Sequence, residues 1–209
     1  MKDEFLKTIK DKKYLLISIA AVFVFVIILI NVLNGKIQNF DVAIYNAIIS
    51  LKTDILTFIV KIITMFGDKE ILILIVILSL IFVKNKKIGC SIAGNLASVG
   101  LINHILKELI KRERPPLEVR MVEETSFSFP SGHSMASFAF YGLIIYFICI
   151  YLKNKKIKNL FCIALGFLIF LIGISRIYLG VHYASDVIAG FAFSTIYLIT
   201  YITIIKKYI

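Results

Sequence analysis

Phe127-Ser128-Phe129-Pro130-Ser131-Gly132-His133-Ser134 leads straight into residues 134–152, an apolar run without a single charge. That run is close to the ~20 residues a helix needs to cross a bilayer. The polar turn before it is built for a helix start. Proline ends whatever precedes it, Ser131 can cap the next helix, and Gly132 lets the chain approach a ligand closely. Free N–H groups and the positive end of the helix dipole then lie beside the titratable imidazole of His133, an arrangement that suits an oxyanion such as phosphate. Taken alone, the turn reads equally as an ordinary capped helix start with an exposed histidine.

Outward from this stretch the same alternation of apolar runs and short polar connections continues. The chain has 209 residues, 59% of them apolar, with a mean hydropathy of +0.91 and a formal net charge of +11. This balance excludes a soluble domain and reads as one membrane-embedded, all-α domain over residues 1–209. The basic excess sits in short lysine clusters between apolar runs and not along one polar face, so the partner it implies is a bilayer and not nucleic acid. Cys90, Cys149 and Cys162 lie in or beside apolar runs without paired spacing, and read as small hydrophobes.

Six membrane-spanning helices are expected. They cover residues 14–33, 71–83, 88–110, 134–152, 160–174 with its flanks, and 184–205. The second is short at about 1.5 Å per residue. Residues 41–66, interrupted by Asp41, Lys52, Asp54 and Lys61, read as amphipathic helices at the interface. The double proline Pro115-Pro116 is the expected stop of the third span. Lysine clusters fall at the N-terminus, after the second span, after the fourth and at the C-terminus. Both termini are therefore expected in the cytoplasm, with the 111–133 and 175–183 connections on the extracytoplasmic side.

Ionisable groups in or beside membrane helices are costly and read as functional. Three sets fall on that outer side. Lys107 and Arg114 are seven apart, about two helical turns, which puts them with Lys111 on one stripe. The second set is Pro130 to His133. The third is Ser175-Arg176 followed by His182 and Asp186, four apart and so expected to share a helix face, with the carboxylate accepting an imidazole N–H. Snorkelling cations and a buried helix-locking pair are the structural alternatives. His104 reads as an interior, satisfied histidine. No carboxylate cluster offers a divalent metal site.

Lys107-x6-Arg114-Pro115, Pro130-Ser131-Gly132-His133 and Ser175-Arg176-x5-His182-x3-Asp186 resemble the three signature motifs of the type-2 phosphatidic acid phosphatase and vanadium haloperoxidase superfamily. The integral-membrane members of that superfamily are lipid phosphatases. The resemblance implies His182 as nucleophile oriented by Asp186, and His133 as proton donor to the leaving group. It also implies Lys107, Arg114, Ser131, Gly132 and Arg176 as phosphate-binding residues, with no metal or other cofactor. The implied substrate is a phospholipid or polyprenyl phosphate, namely phosphatidylglycerophosphate, phosphatidic acid or undecaprenyl diphosphate. Gly132, where relatives resembling undecaprenyl-diphosphate phosphatases often carry aspartate, tilts the expectation toward the phosphatidylglycerophosphatase branch. A lipid phosphotransferase using the same phosphohistidine, or a silent lipid-phosphate-binding membrane protein, would carry the same motifs. Nothing in the sequence speaks to oligomeric state.

Overall fold

The computed structural model describes the backbone from residue 2 to residue 209 and the side chains from residue 12 onward. Lys2, Lys7 and Lys10 of the basic N-terminal cluster lie outside the described side chains. Eight α-helices and one 3-10 turn make up the described residues, with no strand among them. In chain order they are α1 (Lys2–Leu33), α2 (Gln38–Ile49), α3 (Asp54–Met65), α4 (Lys69–Phe82), α5 (Lys86–Ile110), the 3-10 turn at Leu117–Val119, α6 (Gly132–Tyr151), α7 (Lys155–Tyr178) and α8 (Ala184–Ile205).

The starts of several helices are written in their first residues. Thr53, Ser131 and Asn154 each place a side-chain oxygen on the backbone N–H of the following turn, at α3, α6 and α7. Asn85 does the same for α5, accepting from Lys87 N at 3.1 Å. At the far end of α4 the Lys86 ammonium donates to the Leu80 and Ile81 carbonyls, at 2.6 and 3.1 Å, and so satisfies orphan acceptors there.

α6 is the central helix. It packs against α5, α7 and α8, and its Phe140, Leu143 and Phe147 meet Leu72 of α4 and Ile172 of α7 in the largest apolar cluster. α1 lies against α8, with Phe25 edge-on to Phe193 at 5.3 Å between ring centroids. The outer faces are apolar too, as Phe23, Leu109 and Ile163 show at 65, 75 and 71% exposure. A water-soluble protein would not leave such continuous apolar surface bare, and this one is a multi-pass membrane protein.

Five helices are long and apolar enough to cross a bilayer: Lys12–Leu33 of α1, then α5, α6, α7 and α8. α4 has 14 residues, about 21 Å of rise, which falls short of the ~30 Å hydrocarbon core. It nevertheless runs the same course as the longer helices. Its N-cap residue meets α6 at His133, and its last turn meets the start of α5 at the opposite end of the bundle.

The third span does not stop at the double proline. α5 ends at Ile110 because Lys111 takes a left-handed conformation, φ 51°, four residues before Pro115. The chain then runs through residues 112–131 as a linker that folds back over the site. Gly180, also left-handed at φ 68°, seats this linker on the end of α7, since a Cβ there would stand 2.1 Å from the Val119 carbonyl oxygen. Met121 N donates to Leu179 O at 2.9 Å in the same place.

Candidate active site

One end of the bundle gathers the polar groups that the apolar helices exclude elsewhere. Lys107 from α5, Arg114 from the linker, Arg176 from α7 and His182 from the α7–α8 connection are all buried, none more than 8% exposed. Lys107 and Arg114 do not share a helical stripe, because Arg114 has left the helix. They converge on Ser126 instead. Lys107 Nζ donates to Ser126 Oγ at 3.3 Å and to the Phe127 carbonyl, while Arg114 Nη2 donates to Ser126 Oγ at 3.1 Å and its Nε to Ser126 O at 2.6 Å. Lys111, placed on that stripe by its spacing, is exposed. His104 is exposed as well, and so is not the interior histidine its position in an apolar run suggests.

His182 precedes α8, so it does not share a helix face with Asp186. The two still meet, more loosely than the i, i+4 spacing predicts, with Nδ1 3.4 Å from Asp186 Oδ2. Asp186 is fully buried and closes the first turn of α8, accepting from Tyr183 N at 2.9 Å. Ser128 stands between them, donating to Asp186 Oδ2 at 2.5 Å and lying 3.4 Å from His182 Nδ1. On the other side of the ring, Arg114 Nη1 approaches His182 Nε2 at 3.2 Å and donates to the Val181 carbonyl at 2.8 Å. A guanidinium has no acceptor, so Nε2 must accept here and the ring proton belongs on Nδ1, toward Ser128 and Asp186. Burial, then the positive charges of Arg114, Lys107 and Arg176, push the His182 pKa well below its ordinary value. The result is a neutral imidazole whose unprotonated nitrogen lies among three cations.

Arg176 donates from Nη1 to Thr64 Oγ1 at 2.8 Å and from Nη2 to Glu124, leaving its buried Nε without a partner among the described residues. Glu124 also pairs with Arg114, at 3.3 Å, so a single carboxylate from the linker bridges two arginines. Ser131 is fully buried as the helix cap, its Oγ accepting from Ser134 N and Oγ at 3.4 and 3.0 Å. The backbone N–H groups of Gly132 and His133, at the start of α6, have no partner among the described residues. The Phe129–Pro130 peptide bond is cis, and Asn103 donates to the Pro130 carbonyl at 3.1 Å. His133 Nε2 meets Asp68 Oδ1 of the α3–α4 turn at 2.7 Å.

Several of these groups are not apparent from the sequence. Arg112 donates to Asp186 Oδ1 at 2.5 Å and Ser185 Oγ at 2.8 Å through one nitrogen, and to Asp41 Oδ2 at 2.7 Å through the other. Its guanidinium lies 4.1 Å over the Tyr183 ring. Asp41, only 1% exposed on α2, also accepts from Ser185 N and Oγ at 2.8 Å each. The signal that could have found Asp41 and Asp68 is a carboxylate beside an apolar run on the side where the cations gather.

A small cavity of about 190 Å³ lies against His182, Tyr183 and Asp41, and two larger ones reach the constellation. One of about 690 Å³ is polar and lies over Arg112, Arg114, Arg120, Glu124 and Tyr183. The other, about 880 Å³, has His133, Gly132, Asp68 and Glu124 at one end and continues between α4 and α5 along apolar side chains such as Leu72 and Leu96. Among the described residues no group of three or more His, Cys, Asp or Glu could hold a metal ion.

The three sequence motifs thus assemble into one site, and comparison with known proteins gives it a family. The sequence pattern of the PAP2 superfamily matches residues 88–209. Phosphatidylglycerophosphatase B of Bacillus subtilis is 36% identical over 177 residues, covering 82% of this chain and 87% of that protein. Undecaprenyl-diphosphatase of Sulfolobus acidocaldarius is 25% identical, covering 86% and 85%. The crystal structure of the first transmembrane PAP2 type phosphatidylglycerolphosphate phosphatase from Bacillus subtilis superposes with a TM-score of 0.83 at 30% identity, over 92% of this chain and 97% of that one. The chain therefore belongs to the PAP2 superfamily, as a membrane phosphatase.

Proposed function

We propose that this protein hydrolyses a lipid phosphate or diphosphate without a metal ion, through a phosphohistidine on His182, at the outer face of the cell membrane. The observation that carries the mechanism is the 3.2 Å approach of Arg114 Nη1 to His182 Nε2, which leaves the attacking nitrogen unprotonated inside the cation cluster. His182 Nε2 bonds to phosphorus as the P–O bond to the leaving group breaks, and His133 supplies the proton that the leaving oxygen takes up. Water then attacks the phosphohistidine, its proton returns to His133, and the P–N electron pair returns to His182. Asp186, through Ser128, holds the Nδ1–H of His182 and stabilises the imidazolium character that develops. Lys107, Arg114, Arg176 and the Gly132 and His133 N–H groups hold the nonbridging oxygens, with the Ser131 hydroxyl capping the helix that presents those N–H groups.

A lipid substrate is supported by the α4–α5 groove, polar at the His133 end and apolar beyond it. The relatives named for phosphatidylglycerophosphate and undecaprenyl diphosphate set the first two substrates to try. The outer-face assignment, with six crossings and cytoplasmic termini, is supported by the lysine clusters at 84–87, 153–158 and 206–207, which occupy the bundle end opposite the site. α4 then makes the sixth crossing despite its length, its charged flanks reaching the headgroups.

The test is phosphate release by the purified, detergent-solubilised protein from phosphatidylglycerophosphate, phosphatidic acid and undecaprenyl diphosphate, in EDTA, with His182→Ala as control. Release that survives EDTA and vanishes in the variant is expected. Transfer to an added acceptor lipid without release would make the protein a phosphotransferase, and no reaction at all would overturn the reading.

A further inference from the structure

We infer that Asp68 is a positioning residue for His133, fixing Nδ1 as the nitrogen that exchanges the proton with the leaving oxygen and with water; this rests on the phosphatase reading above. Asp68 occupies the N-cap position of α4, where an aspartate ordinarily accepts from backbone N–H groups of the helix it starts. Its side chain makes no capping bond. It reaches across to α6 instead, with Oδ1 2.7 Å from His133 Nε2. A carboxylate so placed accepts the Nε2–H and leaves Nδ1 for chemistry.

The turn that carries Asp68 is held by α6 and by α7. Tyr141 Oη of α6 donates to the Phe66 carbonyl at 2.7 Å, and Thr64 Oγ1 accepts from Arg176 of α7 at 2.8 Å. Gly67 permits the contact itself, because a Cβ there would stand 2.9 Å from His133 Cδ2 and 2.8 Å from Ile172 Cγ2. His133 Nδ1 has no partner among the described residues, and the residue lines the 880 Å³ cavity with Asp68, Glu124 and Gly132. In the first half-reaction the Nδ1 proton goes to the leaving oxygen as that oxygen separates from phosphorus. In the second, the proton of the attacking water goes to Nδ1. The Nε2 proton stays on His133, accepted by Asp68 throughout, and the carboxylate undergoes no net change.

A proton donor matters in proportion to how poor the leaving group is, so kcat/KM on two substrates tests the assignment. The leaving group of short-chain phosphatidic acid is a diacylglycerol alkoxide and that of p-nitrophenyl phosphate is a stable phenolate. General acid catalysis is worth about 10²–10⁴-fold, and loss of its positioning should cost less than the whole. Asp68→Ala is expected to lower kcat/KM on phosphatidic acid by roughly 10- to 100-fold and on the nitrophenyl ester by less than about threefold. Asp68→Asn, similar in size and still an acceptor, should recover part of the loss and guards against misfolding of the turn. Equal losses on both substrates, or none on the lipid, would overturn the inference. If His133→Ala discriminates between the substrates and Asp68→Ala does not, only the role of Asp68 falls. If the unaltered protein releases phosphate from neither of these and also from neither phosphatidylglycerophosphate nor undecaprenyl diphosphate, the phosphatase reading falls and takes this one with it; if it acts only on one of those two lipids, that lipid replaces phosphatidic acid in the comparison.

Discussion

The two histidines of this site keep opposite company. His182 is 2% exposed and surrounded by cations, its Nε2 turned to Arg114 and its carboxylate partner at 3.4 Å. His133 stands at the mouth of an open groove with a carboxylate at 2.7 Å. One environment turns a guanidinium to a bare ring nitrogen. The other turns a carboxylate to a ring nitrogen. The same residue type stands in two settings because the sign of the neighbouring charge differs.

The largest effect should follow from breaking the buried member. His182→Ala removes the proposed nucleophile, and phosphate release is expected to fall by about 10³-fold or more on every substrate, with no acid-labile phosphoprotein in single-turnover labelling. His133→Ala should instead discriminate. A loss of roughly 10²–10⁴-fold is expected on a lipid phosphate and a much smaller one on a nitrophenyl ester. Equal, complete loss on the nitrophenyl ester in both variants would erase the contrast between the two sites.

The carboxylate behind His182 depends on a residue that lies inside the first motif but is not one of its signature positions. Arg112 is the counter-ion for both Asp186 and Asp41, each at most 1% exposed. Arg112→Gln leaves two buried carboxylates without a cation, and removing one partner of such a pair costs about 3–5 kcal/mol. The melting temperature in detergent should drop accordingly, and activity should fall on alkyl and nitrophenyl substrates alike. Arg112→Lys should rescue little, since one ammonium cannot serve both carboxylates with the geometry of a planar fork.

This network also marks where the sequence stops being legible. The apolar runs and their polar gaps announce the long helices, and the motif spacings bring Lys107, Arg114, His133, Arg176 and His182 to one end, because residues near the ends of membrane helices have few places to go. What spacing cannot supply is the path of the linker. Lys107 and Arg114 look like neighbours on a stripe, yet they meet only because Lys111 turns left-handed and residues 112–131 fold back. Asp41 and Asp68 come from segments with no motif at all. Their partners are 71 and 65 residues away, and such contacts exist only after tertiary packing.

A pH profile should sharpen the contrast with a more modest effect. Because the His182 pKa is held well below its ordinary value, the native ring stays neutral while the unfolded chain takes up a proton below pH ~6.5. The unfolded state then binds more protons, so stability should decline as pH falls below that point and level off only when the native ring itself protonates. Thermal unfolding of the unaltered protein and His182→Gln between pH 4 and 8 would show it, with the variant losing less stability over the acid range. Parallel curves would mean that other groups carry the acid sensitivity.

The smallest effect concerns Glu124, which joins the two environments. It borders both cavities and pairs with both Arg114 and Arg176, the cations that a phosphate is expected to engage. An incoming dianion therefore competes with a carboxylate already seated on the arginines, and part of its binding energy goes to displacing that carboxylate. Glu124→Gln keeps the side chain's size and removes its charge. Inorganic phosphate and vanadate should then inhibit at concentrations lower by about three- to tenfold, a change of roughly 1 kcal/mol. If Glu124 instead serves to align the arginines, inhibition should weaken and kcat should fall with it. The direction of the shift in the inhibition constant decides between a competitor for the phosphate site and part of its frame.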